Sequence, residues 1–234
     1  MQVYQYDQVE STQDLAKDYL KNKNKKKAAF VAQSQTNGYG KRGRFFYSPA
    51  QTGIYFSMAF PNFEIVREKI NLLTPCIATN VVDVLRKFYP QKDFRLKWVN
   101  DIYLKNKKVA GILTEYENSG LIIGVGINIA THDFPEQIRF KAGYISDTLF
   151  EHKKMTNELL QAVDLASKNY GQNQFMEQYR KLSWLIGKRV NLKLGKKEVT
   201  GLVKTIDDAG MLVILTNNEA HSFSSGEVTK VELT

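Results

Sequence analysis

Residues 3–9 alternate apolar and polar positions, which predicts an opening strand. Ser11-Thr12-Gln13-Asp14 then has the S-x-x-D form of a capping box. Leu15 with Tyr19, and Ala16 with Leu20, continue at helical spacing. Residues 28–35 and 53–60 read as strands. Ile70, Leu73, Ile77, Val81, Val84, Leu85 and Phe88 recur as a helical stripe interrupted by Pro75, so the helix either restarts at Thr74-Pro75 or kinks there. A short strand is expected at 94–98, with Asn100-Asp101 at its turn. A hairpin turn at Asn106-Lys107, a strand at 109–116, a second turn at Asn118-Ser119-Gly120 and a strand at 121–129 follow. Leu159, Val163, Ala166 and Tyr170 mark a helix, and Phe175, Tyr179 and Leu182 another. From Gly187 the pattern changes to short alternating runs at 190–194, 199–206 and 211–215, broken by Gly195, Asp208-Ala209-Gly210 and Asn217-Asn218. That is the signature of a small all-β barrel. Hairpin-linked strands with helices between them predict a mixed α+β domain at 1–183, followed by the barrel at 184–234.

Composition narrows the class. A chain of 234 residues with 43% hydrophobic and 24% charged content can bury a sizeable core. No apolar run approaches the ~20 residues that span a bilayer, and the polar start is no signal peptide. The single cysteine, Cys76, excludes an internal disulfide and a cysteine-clustered zinc site. These features together predict a cytoplasmic, non-membrane protein. A net charge of +9 calls for an anionic partner: nucleic acid, an acidic protein or a phosphorylated small molecule. The densest basic run, 21–27, falls between two elements and reads as a solvated turn. Neither zinc-finger spacing nor a basic helix leading into heptads is present.

Residues 37–49 read N-G-Y-G-K-R-G-R-F-F-Y-S-P. Glycines let backbone N–H groups approach an anion, and arginines grip phosphate oxygens in a fork. On these residues alone an anion-binding loop and a solvated basic loop both remain open. No G-x-x-x-x-G-K-[ST] is present, so this is not a Walker A loop. Asn100-Asp101 suits magnesium or a simple Asx turn.

Downstream of the loop stand Lys97-Trp98-Val99-Asn100-Asp101, then 108–115 reading K-V-A-G-I-L-T-E, then 124–128 reading G-V-G-I-N. In this order and spacing the set resembles the biotin protein ligases, over residues 11 to about 227. The resemblance implies a class II aminoacyl-tRNA synthetase-like catalytic domain followed by an SH3-like domain that includes Gly226-Glu227. It implies ATP-dependent activation of biotin to biotinyl-5′-AMP, and then transfer to a lysine of a biotin carboxyl carrier protein domain of the acetyl-CoA carboxylase or pyruvate carboxylase type. Lys108, Arg42, Arg44 and Asp101 would be catalytic. Ser11, Thr12, Gln13, Gln35, Tyr39, Gly40, Lys41, Lys108 and Gly111 would hold biotin. Arg42, Arg44, Phe46, Lys97, Asn100 and Asn128 would hold ATP, and Asp101 would meet Mg2+. Gly111 and Gly124 would admit ligand close to the backbone.

Five positions depart from the family pattern. Gln13 stands for asparagine, Tyr39 and Lys41 for arginines, Phe46 for the adenine-stacking tryptophan and Val99 for proline. Only ten residues precede Ser11, so the resemblance is to monofunctional members without a DNA-binding domain, with no specific DNA partner expected. Family members often dimerise through the central sheet, which leaves a homodimer open. Two rival readings remain. One is a lipoate or octanoate ligase on the related fold. The other is a basic nucleic-acid-binding module, which leaves Asn100-Asp101 and the Lys108 motif unexplained. The segment from Gly38 to Arg44, three glycines among three like charges, is expected to be mobile until ligands order it.

Overall fold

Two sheets carry the strands of the computed structural model, which describes residues 1–21, 26–118, 120–148 and 150–232. In chain order the first sheet contains β1 (Gln2–Val9), β2 (Ala28–Gln35), β3 (Gly53–Phe60), β4 (Arg95–Lys97), β5 (Asp101–Leu104), β6 (Lys107–Glu117) and β7 (Gly120–Asn128). In space the order is β1-β2-β3-β7-β6-β5-β4, so β7 slots between β3 and β6. Only β1 and β2 run parallel, joined by the crossover helix α1 (Thr12–Leu20). The other neighbours are antiparallel.

Burial explains the apolar runs. All eight residues of β3 are buried, because both faces of the sheet are covered. Phe56, Met58, Val125 and Ile127 face α2 (Leu73–Phe88) and α3 (His152–Asn169) in the main core. Phe30, Ala59 and Ile122 face α1 in a smaller one. The stripe around Pro75 resolves as a restart. A 3-10 turn covers Arg67–Leu72, and α2 begins at Leu73 with Pro75 in its first turn, where a missing N–H costs nothing. Ile70 therefore lies outside the helix. Cys76 is buried in α2, and burial pushes its thiol up to about 12.

Three strands lie outside the expected pattern. β5 is only four residues long and follows directly on the Asn100 turn. The hairpin turn after it is Lys105-Asn106 rather than Asn106-Lys107, both with positive φ, so β6 starts at Lys107. The second sheet has the order β11-β10-β9-β8-β12, from β8 (Arg189–Leu194), β9 (Lys197–Ile206), β10 (Leu212–Thr216), β11 (Glu219–Phe223) and β12 (Glu227–Val231), all antiparallel. This is the SH3-like unit. β11 is exposed at four of its five positions and β12 is short, so neither shows an apolar alternation. The centre of the basic run, 22–25, and the turn residue 119 lie outside the described residues. At the ends of the run, Lys21 pairs with Asp18 and Lys27 with Asp164.

The two sheets are pinned together through the motif strand. Trp98 Nε1 donates to the Gly210 carbonyl at 3.0 Å, and the Trp184 N–H donates to the Leu96 carbonyl. Gly210 has φ 78°, and a Cβ there would stand 2.8 Å from the Asn71 carbonyl oxygen, so the contact requires glycine. α4 (Met176–Leu182) adds an Arg180–Asp208 ion pair. Among the described residues no helix is long and apolar enough to cross a membrane.

Candidate active site

The parallel β1–β2 crossover brings the start of α1 over β3 and β7. Ser11 caps the helix, accepting from the Gln13 and Asp14 N–H groups at 3.2 and 3.4 Å. The capping box is only half used, because the Asp14 carboxylate accepts from the Tyr39 hydroxyl at 2.6 Å instead. Thr12, held by this cap, donates from its N–H to Gln35 Oε1 at 2.9 Å, and its hydroxyl lies 2.9 Å from that of Ser57. Ser57 donates to Gln13 Oε1, and Gln13 Nε2 donates to Glu115, which also receives Lys17. The result is a continuous hydrogen-bonded floor from Lys17 to Gln35. Burial opposes the charge on Lys17, yet bonds to Tyr39 and Glu115 hold its pKa above the ordinary lysine range. Tyr39 is pushed up to about 12, chiefly by burial and then by its bond to Asp14.

This floor lines an inner slot with Tyr39, Gly40, Phe46, Asn100, Lys108, Gly111 and Gly124. The slot is open by only ≈ 40 Å³, room for about one water. Three glycines explain how so much side chain fits. A Cβ at Gly124 would lie 2.4 Å from Gln13 Oε1, one at Gly126 would lie 2.6 Å from the Phe46 ring, and one at Gly111 would lie 2.9 Å from Lys108 Nζ. Phe46 and Lys108 therefore occupy the space, and a ligand enters by moving them.

Beyond Lys108 the slot meets an outer cleft of ≈ 390 Å³ between the two sheets. Its walls carry Lys41, Arg42, Arg44, Lys97, Lys108 and Lys141 against only Asp101 and Glu227, a strong preference for an anion. Lys108 Nζ pairs with Asp101 Oδ1 at 2.7 Å. Lys97 is held below the ordinary lysine range by burial, which outweighs the opposing Asp101 charge. Lys41 is lowered by burial and by Arg42. Asn128 donates to the Gly143 carbonyl, while its buried Oδ1 has no partner and remains an open acceptor. Phe134, Ile138 and Ala142 give the cleft an apolar wall.

The loop between Gln35 and Ser48 is a small hairpin. Tyr39 bridges Phe45, the Gly40 N–H donates to the Arg44 carbonyl at 2.8 Å, and Arg42 and Gly43 turn the chain with φ of 64° and 69°. Arg42 and Arg44 both pair with Glu227 of β12. The segment, expected to be mobile until ligands order it, has partners at both ends: Asp14 holds Tyr39 and Glu227 holds the arginines. The expectation considered only the loop's own residues, and both partners come from other elements.

Residues 6–130 match the model of the biotin/lipoate A/B protein ligase family. The chain belongs to that family. Residues 185–231 match the biotin protein ligase C terminal domain. The bifunctional ligase/repressor BirA of Salmonella typhimurium is 30% identical over 213 residues, covering 86% of this chain and 66% of that protein. The chain thus spans just under two thirds of that relative's length. The biotin–[acetyl-CoA-carboxylase] ligase of Mycobacterium tuberculosis is 27% identical over 206 residues, covering 85% of this chain and 77% of that protein. The solved biotin protein ligase from Aquifex aeolicus in complex with biotin and ATP is similar with a TM-score of 0.84 and 28% identity, over 97% of both chains.

Several residues that the family motifs single out fall together here. Ser11, Thr12, Gln13, Gln35, Tyr39, Gly40, Lys108 and Gly111 line the slot, while Arg42, Arg44, Lys97, Asp101 and Asn128 line the cleft. Phe46, Asn100, Gly40 and Lys108 line both. Lys41 lines the cleft, not the slot with which its biotin assignment grouped it. Asn100 spends its amide on the Ile112 carbonyl at 3.1 Å, clamping β6. The Trp98–Val99 peptide, at the site of the family proline, is cis. Sequence reasoning missed Ser57, Glu115, Lys141 and the arginine-binding role of Glu227. Glu115 closes a quoted motif and Glu227 stands beside a quoted glycine. Lys141 lies in an aperiodic stretch that gave no signal.

Proposed function

We infer that this chain is an ATP-dependent biotin protein ligase, forming biotinyl-5′-AMP and pyrophosphate and then passing biotin to a lysine of a carrier protein. One observation carries the reading: Lys108 stands where a neutral polar slot and a cationic cleft meet, and lines both. The first half-reaction brings a carboxylate against an α-phosphate. At ~4 Å and an effective dielectric near 20 their mutual repulsion is about 4 kcal/mol. An ammonium between them turns that into attraction of similar size.

The slot suits the ureido ring of biotin, because its floor presents hydroxyl and amide groups in fixed places. A plain acyl chain offers those groups no hydrogen bond in exchange for the ones they already make to one another, so the polar floor favours a polar ring over an acyl chain. Arg42, Arg44 and Lys41 take the phosphates, Lys97 and Lys141 add charge, and Asn128 Oδ1 accepts from the base. Once Lys108 swings to the anions, Asp101 is free to orient the carrier amine. Among the described residues no group of three or more acidic, histidine or cysteine side chains could hold a metal by itself. The residues fit a magnesium ion carried mainly by nucleotide phosphates, with Asp101, one of the two carboxylates that line the cleft, as its protein ligand. Such an ion would neutralise phosphate charge. The name of the Mycobacterium tuberculosis relative supports carboxylase carrier domains as partners.

Exchange of labelled pyrophosphate into ATP tests the reading. Exchange that depends on biotin, and not on lipoate or octanoate, is the expected result. Exchange driven by lipoate or octanoate would move the assignment to the other branch of the family, and none with any acid would refute it.

A further inference from the structure

A second concavity, of ≈ 510 Å³, lies on the same sheet face as the cleft. In β4 and β5 the register pairs Arg95 with Tyr103, and then Lys97 with Asp101. Side chains two apart on a strand share a face, so these four form one block. Arg95 and Tyr103 line the second groove, Lys97 and Asp101 line the cleft, and Tyr103 lines both. The step from Tyr103 to Asp101 is about 7 Å along the strand, a gap that the four-carbon stem of a lysine spans.

The groove is basic. Lys92, Arg95, Lys105 and Lys188 line it against Asp93 alone, and Asp93 is already paired with Arg95 at 3.0 Å. Lys188 is lowered by burial and by the nearby Arg95, the mark of cations crowded without enough counter-charge. The groove floor is rigid. Trp184 stacks on Tyr103 with centroids 4.9 Å apart, donates from Nε1 to Asn106 Oδ1, and carries Lys188 Nζ 4.4 Å from its ring. The rings stack on each other rather than splaying to receive a base, which favours a folded acidic surface over a nucleic-acid strand.

We propose that this groove docks the acidic face of the carrier domain, so that the carrier's target lysine passes Tyr103 and Lys97 to reach Asp101. The proposal rests on the ligase reading above. Its cations serve encounter and orientation, so they govern the carrier's KM and its salt dependence while leaving adenylation alone.

The test combines Lys92→Glu, Lys105→Glu and Lys188→Glu in the full chain and measures three rates. Biotin-dependent pyrophosphate exchange and biotin transfer to hydroxylamine, a small nucleophile that needs no docking, should stay within about twofold. KM for an acidic biotin-accepting carrier domain should rise at least tenfold, with kcat little changed. In the unaltered protein the same KM should rise steeply with salt, a result that needs no variant. An unchanged carrier KM alongside normal exchange would overturn the groove and leave the ligase reading standing. Loss of single-stranded oligonucleotide binding in the variant, with carrier KM intact, would overturn it in favour of nucleic acid. No exchange in the unaltered protein would remove both readings.

Discussion

The inner slot and the outer cleft share Lys108 but are built on opposite principles. The slot's floor is made of uncharged hydroxyl and amide side chains bonded to one another, with glycines where any larger residue would collide. The cleft is made of long cations whose partners are two carboxylates that a ligand can replace. The slot's floor is therefore set before binding, with Phe46 and Lys108 left to move aside, and it suits selection by hydrogen-bond pattern. The cleft is held by exchangeable ion pairs and selects by charge. The two halves of a carboxylate activation need this division, since the acyl group must be recognised and the phosphates merely neutralised and aligned.

Lys108→Ala removes the one charged group that lines both regions and should have the largest effect. Adenylate formation should drop by about 10²-fold or more while the melting temperature stays near that of the parent. Near-normal exchange by the folded variant would mean that the two regions are not joined through Lys108.

Gly124→Ala separates them from the slot side. Its Cβ would fall 2.4 Å from Gln13 Oε1, forcing a buried, bonded side chain to move. A cost of ~1–3 kcal/mol should appear as roughly 10–100-fold weaker biotin binding by calorimetry, with ATP affinity preserved. Equal losses for both ligands would erase the distinction.

Glu227→Gln separates them from the cleft side. An exposed ion pair contributes at most about 1 kcal/mol, so stability should barely change. Trypsin should instead cut faster after Arg42 and Arg44, and biotin with ATP and magnesium should suppress the cutting. Cleavage that ignores both the substitution and the ligands would mean that the arginines neither rest on Glu227 nor close over substrate.

The smallest effect concerns protons. Lys41 and Lys97 have lowered pKa values because burial disfavours their charge. A bound polyphosphate favours the charged form and raises those values again. At alkaline pH, between the lowered and restored values, ATP binding should take up protons, while biotin alone takes up none. Calorimetry in buffers of different ionisation enthalpy reads the difference directly.

The sequence named residues of both regions, and what it missed in the cleft was missed for a different reason. Ser11, Thr12 and Gln35 sit at the ends of periodic elements, where caps and strand ends leave local signatures, and Gly124 lies mid-strand in β7 within a glycine-bearing motif. The Pro75 restart was open to reading for the same reason. Glu227 and Lys141 reach the cleft from segments with no periodicity and meet the loop across 185 positions in the case of Arg42 and Glu227. No local pattern encodes such a meeting. β11 was missed because its exposed residues do not alternate, and β5 because four residues beside an Asx turn look like the turn itself.

The insertion of β7 between β3 and β6 sets a timetable for synthesis. Gly124 and Gly126 can complete the slot only after residue 128 has left the ribosome, even though Ser11 and Thr12 emerged long before. Glu227 and the rest of β12 follow about a hundred residues later, a delay of ~5–20 s at ordinary elongation rates. During that interval the chain carries every residue that lines the slot, while the arginines still lack their carboxylate.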